Sequence, residues 1–213
     1  MPPWSRVEGA LRLALLLNRP LLLSYLVAVP TALYLLTLMS DVAAERWLVL
    51  EVLFIPLGVV FSADTFLGRY ERGELELLLA RRSARALFVC LVAPSVALLL
   101  LGSGSISLLV SQGGPLAALA RAALLLGATH LLLVLTRSRP FALSLFGLWW
   151  LTGFAFMVPW VEAAPTALLL LHPMRLSGGG AMDAGLEGAT LLVGVGSFVA
   201  AWWAVGRAKR WVT

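Results

Sequence analysis

The chain has 213 residues, 61% of them hydrophobic and 13% charged, with a mean hydropathy of +0.94. A soluble domain of this length carries about 45–50% apolar and about 25% charged residues, so this much apolar surface has no aqueous core able to hide it. Soluble enzyme folds and disordered tails are excluded, and the composition predicts an all-α, polytopic membrane protein. Sixteen Lys and Arg against eleven Asp and Glu give a net charge of +5. In a membrane chain that excess reports orientation, and with no separate basic domain and no Cys/His finger, no nucleic-acid partner is expected. The lone Cys90 lies in an apolar run and offers neither a disulfide framework nor a thiolate metal site.

In chain order, residues 4–18 come first as a helix with Val7, Leu11, Ala14 and Leu15 on one side and Glu8 four residues before Arg12. An elbow lying in the membrane interface and turning inward at Asn18-Arg19-Pro20 fits this pattern; the alternative is a plain extension of the first span. Each crossing takes roughly 20 residues. Uncharged apolar runs then predict six spans, at 21–39, 47–66, 86–110, 116–136, 141–161 and 189–205. Further apolar runs, rather than a small-residue cleavage site, follow the first, so no cleaved leader is expected. Between spans five and six, residues 165–173 are apolar, too short to cross and bounded by Pro165 and Pro173, as in an outer re-entrant or interfacial segment. The glycine turn Ser177-Gly178-Gly179-Gly180 comes after it.

Six crossings place both termini and alternate loops on one side. Thirteen of the sixteen Lys and Arg fall on that side and only Arg46, Arg121 and Arg175 on the other. The asymmetry predicts a multi-pass protein of the cell membrane with both termini cytoplasmic.

The segment 69–85, between spans two and three, holds eight of the chain's 27 charged residues. Glu71, Glu74 and Glu76 come early and Arg81, Arg82 and Arg85 late, the order that a helix dipole favours, with Leu75, Leu78 and Leu79 on one apolar side. Such a helix fits a partner's groove, and it is equally the pattern of a solvated connector. Glu71, Gly73, Leu75-Glu76, Leu78 and Arg85, in this position after the second span, resemble the signature of the type-2 ATP-binding-cassette (ABC) exporter permeases. There an acidic residue, Gly-Thr-Leu-Glu, a leucine-rich turn and Pro-x-x-Arg close the corresponding loop. Here Glu74 stands in place of the Thr and Arg82 in place of the Pro.

The resemblance extends to layout, with six spans, an interfacial elbow helix and a proline-bounded segment before the last span. It implies one transmembrane permease domain over 1–213 that moves a substrate when a separate ATPase subunit burns ATP. The implied ATPase-coupling residues are Glu71, Gly73, Glu74, Leu75, Glu76, Leu78, Arg81 and Arg85. ATP and Mg are then expected in the partner ATPase alone, since no Gly-x-x-x-x-Gly-Lys-Ser/Thr loop is present and Gly102-Ser-Gly-Ser105 lacks the lysine. The chain itself is not expected to be an enzyme. Its expected partners are two ATPase copies, a second copy of itself or a homologous permease, and membrane lipids.

Ionisable residues inside spans cost roughly 2.5–3.5 kcal/mol at the centre and mark candidate pathway positions. They are Glu51, Asp64, Arg121 and His130. Interfacial anchoring, with Arg121 snorkelling outward, or a stabilising Glu51–Arg121 pair accounts equally for the first three. A hydrogen bond from His130 to a neighbouring helix accounts for the fourth. Other readings of the whole chain are the haem-exporter-type permease of cytochrome c maturation, a lipid-modifying membrane enzyme and a membrane scaffold.

Overall fold

The structure is a computed structural model that describes residues 18–38, 55–75, 79, 83–110, 115–155 and 184–207, together with residues 9, 12, 15 and 16. Every regular element among them is helical. In chain order these are α1 (Arg19–Leu38), α2 (Ile55–Ala63), a π-helical turn (Asp64–Gly68), the single turn α3 (Arg69–Glu71), then α4 (Ala84–Val110), α5 (Pro115–Thr136), α6 (Arg139–Ala155) and α7 (Ala184–Arg207). Three of them, through Ala84–Ser105, Leu119–Thr136 and Glu187–Arg207, are long and apolar enough to cross a membrane.

The third, fourth and sixth expected spans coincide with α4, α5 and α7 to within a few residues. The first and fifth match α1 and the described part of α6 as helices, and the second is described from Ile55 onward. Most of the elbow, the outer half of span two with Glu51, and the 165–173 segment with its glycine turn lie outside the described residues.

α5 is the central helix: 61% of its membrane-length window is buried, against 44% for α4 and 22% for α7. Its closest neighbour is α7, and the reason is the absence of side chains. Gly127 faces the carbonyl oxygen of Gly194, and a Cβ on Gly194 would come within 2.5 Å of the carbonyl carbon of Ala123. Ala123 and Gly127 are one turn apart, so they open a strip along which the α7 backbone lies directly on α5. Among the glycines at 102, 104, 194 and 196, no two form a small-xxx-small pair in the sequence. The pair that operates joins an alanine and a glycine on α5, with Gly194 opposite.

Aromatic rings fill the layer beneath this crossing. Phe88 on α4 is fully buried and meets Phe66 of the π turn edge-on at 5.3 Å, Phe198 of α7 at 5.7 Å and His130 of α5 at 6.1 Å. From there a continuous apolar core reaches the end of the bundle through Leu87, Leu91, Leu133, Val134, Ala142, Ala201 and Val205. This is the charged end of the molecule, at which α2, α5 and α7 finish and α4 and α6 begin.

Candidate functional site

The charged end is built on a change of helical pitch. From Asp64 to Gly68 the chain runs as a π-helix, whose extra residue rotates the next turn relative to α2. Thr65 donates its hydroxyl to the Ser62 carbonyl at 2.6 Å within this stretch. One α-helical turn later the helix stops at Glu71. Gly73 has φ +72, a region that a side chain strains and glycine enters freely. Its N–H donates to the Tyr70 carbonyl at 2.9 Å and that of Glu74 to the Arg69 carbonyl at 3.0 Å. These two bonds make a Schellman cap, in which an ion pair between Arg69 and Glu74 at 3.5 Å replaces the usual apolar contact.

The short loop helix expected within 69–85, with its acidic start at Glu71 and Glu74, is therefore interrupted at Gly73. Glu71 closes one turn and Glu74 sits in the reversal; neither begins the loop helix, because the left-handed Gly73 breaks the run. Helical bonding resumes with Leu79 N–H donating to the Leu75 carbonyl at 2.8 Å, and Ser83 caps α4 by accepting from the Ala86 N–H at 3.3 Å.

The apolar side of the segment is also placed differently from the expectation. Leu75 is 1% exposed and Leu79 8%, and both belong to the same buried core as Phe66, Leu87 and Leu133. They anchor the loop to its own bundle and are not free to enter a partner's groove. Glu71, Arg72, Gly73 and Glu74 are what the turn leaves exposed. Glu76, Leu78 and Arg81, like Glu51, lie outside the described residues.

Asp64 and Arg139 organise the charges. Arg139, the first residue of α6, pairs its guanidinium with Asp64 of the π turn and with Glu71 at 3.7 Å, while its backbone N–H donates to Glu71 Oε1 at 3.0 Å. A carboxylate thus sits at the start of α6, where the helix dipole favours one. Arg72 bonds Glu74 at 2.5 Å and Asp64 at 3.1 Å, and those two carboxylates, Glu74 foremost, raise its pKa above the ordinary guanidinium value. A side chain on Gly68 would collide with Asp64 and Arg139, so glycine there lets the pair close over the π turn. The corner that presents Arg139 is fixed by Arg137 at φ 53, by Ser138 accepting from the Phe141 N–H at 3.4 Å, and by Pro140 in the first turn of α6. Arg139 was legible in the sequence only as a topology marker; the signal that pointed toward it was Asp64, an acid at the edge of an apolar run that required a cation.

The remaining residues stand apart from this cluster. Arg85, in the first turn of α4, reaches α7, donating to the Trp203 carbonyl at 3.5 Å and lying 4.9 Å from the Trp202 ring. His130 is 2% exposed; its Nδ1 donates to the Leu126 carbonyl of its own helix at 2.8 Å, and its ring packs on Phe88 and Phe198. Arg121 is 5% exposed and so is buried in the bundle at the far end of α5 rather than reaching outward; Glu51, the acid the sequence offered it as a partner, lies outside the described residues. Cys90 is a free, half-buried thiol, and among the described residues no three His, Cys, Asp or Glu side chains gather as a metal site.

Comparison with family models, curated proteins and solved structures finds no match to this chain. The fold described is thus all-helical and membrane-embedded, on the strength of its three spanning helices.

Proposed function

We propose that this chain is the permease subunit of an ATP-driven exporter of the type-2 ABC kind, with six crossings, both termini cytoplasmic, and the charged end facing a separate ATPase. Two permeases, identical or homologous, enclose the pathway, and two ATPase subunits supply ATP and Mg chemistry. The observation that carries this reading is the exposed turn Glu71–Glu74, held to its own bundle on two sides: by buried Leu75 and Leu79 beneath it and by Arg139 beside it. A push on that turn is delivered to the ends of α2 and α4 and to the start of α6 together, which is what a coupling element requires. A solvated connector has no need of such anchorage.

Within this division of labour, Glu71, Gly73, Glu74, Glu76, Leu78 and Arg81 meet the ATPase, Leu75 fixes the loop, and Arg85 ties α4 to α7. Asp64 belongs to the ion-pair cluster with Arg139 and Arg72, and the pathway candidates that remain are Glu51, Arg121 and His130.

The test is co-purification with a stand-alone nucleotide-binding subunit produced alongside the chain. The double variant Glu76→Arg with Leu78→Asp is expected to reach the membrane in normal amount and lose the ATPase. Retention of the ATPase at the normal ratio would remove the docking assignment.

A further inference from the structure

The arginines of the charged end divide into two groups. Arg69, Arg72 and Arg139 are each paired with Asp64, Glu71 or Glu74, so their charge is answered within the chain. Arg85 and Arg207 have no carboxylate partner among the described residues. Arg207 lies 3.5 Å from the centre of the Trp203 ring, and Arg85 lies over Trp202. The Nε of Arg85 is buried without a hydrogen-bond partner, and its guanidinium fits across α7 because Gly206 has no side chain to obstruct it. Two cations and two partly exposed tryptophans therefore share one patch, unbalanced by any acid among the described residues.

Each helix leads an exposed apolar stripe to this patch. On α7, Leu192, Val195 and Val199 are exposed and continue at helical spacing into Trp202 and Trp203. On α4, Val89, Ala93, Ala97 and Leu101 are exposed at four-residue spacing, with Arg85 one turn before the first. Stripes of this kind in a membrane-spanning helix face acyl chains, and tryptophan with arginine at their end marks the headgroup level.

We propose that Arg85, Arg207, Trp202 and Trp203 form a binding site for the phosphate of an anionic phospholipid, with the acyl chains lying along the exposed faces of α4 and α7. The two guanidinium groups supply the charge that a neutral or zwitterionic headgroup does not match, and the ring faces hold them in place. The site is independent of the exporter reading, because it requires only that α4 and α7 cross the membrane.

The experiment is native mass spectrometry of the purified full chain in detergent, titrated with phosphatidylglycerol, with phosphatidylcholine of the same chains, and with glycerol 3-phosphate. Phosphatidylglycerol is expected to bind preferentially. Arg207→Gln, which removes the cation over the Trp203 ring at an exposed position, is expected to weaken it about fivefold, and Arg85→Gln with Arg207→Gln about thirtyfold. Equal binding of both lipids, or unchanged binding in the Arg207→Gln variant, would overturn the site. Equal occupancy by glycerol 3-phosphate would overturn its lipid character. Loss of a bound protein from the variants with phosphatidylglycerol binding intact would assign the patch to a protein partner and overturn the proposal likewise.

Discussion

Gly73 and Gly147 are both glycines in a helical protein, yet the structure asks opposite things of them. Gly73 has φ +72, whereas a side chain at Gly147 in α6 would meet nothing within 4 Å. Gly73→Ala is expected to lower stability by about 1 kcal/mol, the cost of forcing a side chain into the left-handed region. Gly147→Ala is expected to raise stability by roughly 0.5–1 kcal/mol by restricting the unfolded chain inside a helix. Thermal melts of the two purified variants check the sign of each. At this scale the sequence revealed which residues carry charge, but not that Gly73 would interrupt the loop. It did not reveal that Asp64 and Arg139, 75 residues apart, would be partners, because charge order along a chain says nothing about which helix ends meet. Leu75 and Leu79 were legible as one apolar side, but an apolar side facing its own core and one facing a partner have the same spacing.

At the scale of elements, hydropathy located the long helices because each is bounded by charge, proline or glycine, and α4, α5 and α7 begin and end near where those breaks fall. The π turn left no mark in the hydropathy, since inserting one residue into a helix changes its pitch without changing its composition. The α5–α7 crossing was hidden for a related reason: it depends on which faces of two helices oppose each other, and Ala123 reads as an ordinary apolar residue until Gly194 is placed against it. That crossing is backbone on backbone. Gly127→Val is therefore expected to push α7 off α5 and destabilise the bundle by about 1–3 kcal/mol or more, as overpacking does. A fall in melting temperature well beyond that of Gly147→Val, at a position with open space, is the expected result.

For the molecule as a whole, the described helices form a membrane-embedded bundle whose charges are concentrated at one end, where α2, α4, α5, α6 and α7 converge. The ion pairs there are half-exposed, and each is worth about 0–1 kcal/mol. Stability alone gives little reason for tying a loop, a π turn and the start of α6 together with so many of them; the ATPase coupling proposed above would give one. The central claim is accordingly that segment 69–85 is the handle of a separate ATPase. Ser83, exposed at the end of that segment, is the position from which to test it. With a photo-activated cross-linking residue at position 83 in living cells, the account predicts one dominant adduct with a protein bearing a Gly-x-x-x-x-Gly-Lys-Ser/Thr nucleotide loop. Adducts with lipid alone, or none, while the protein is correctly inserted, would contradict it.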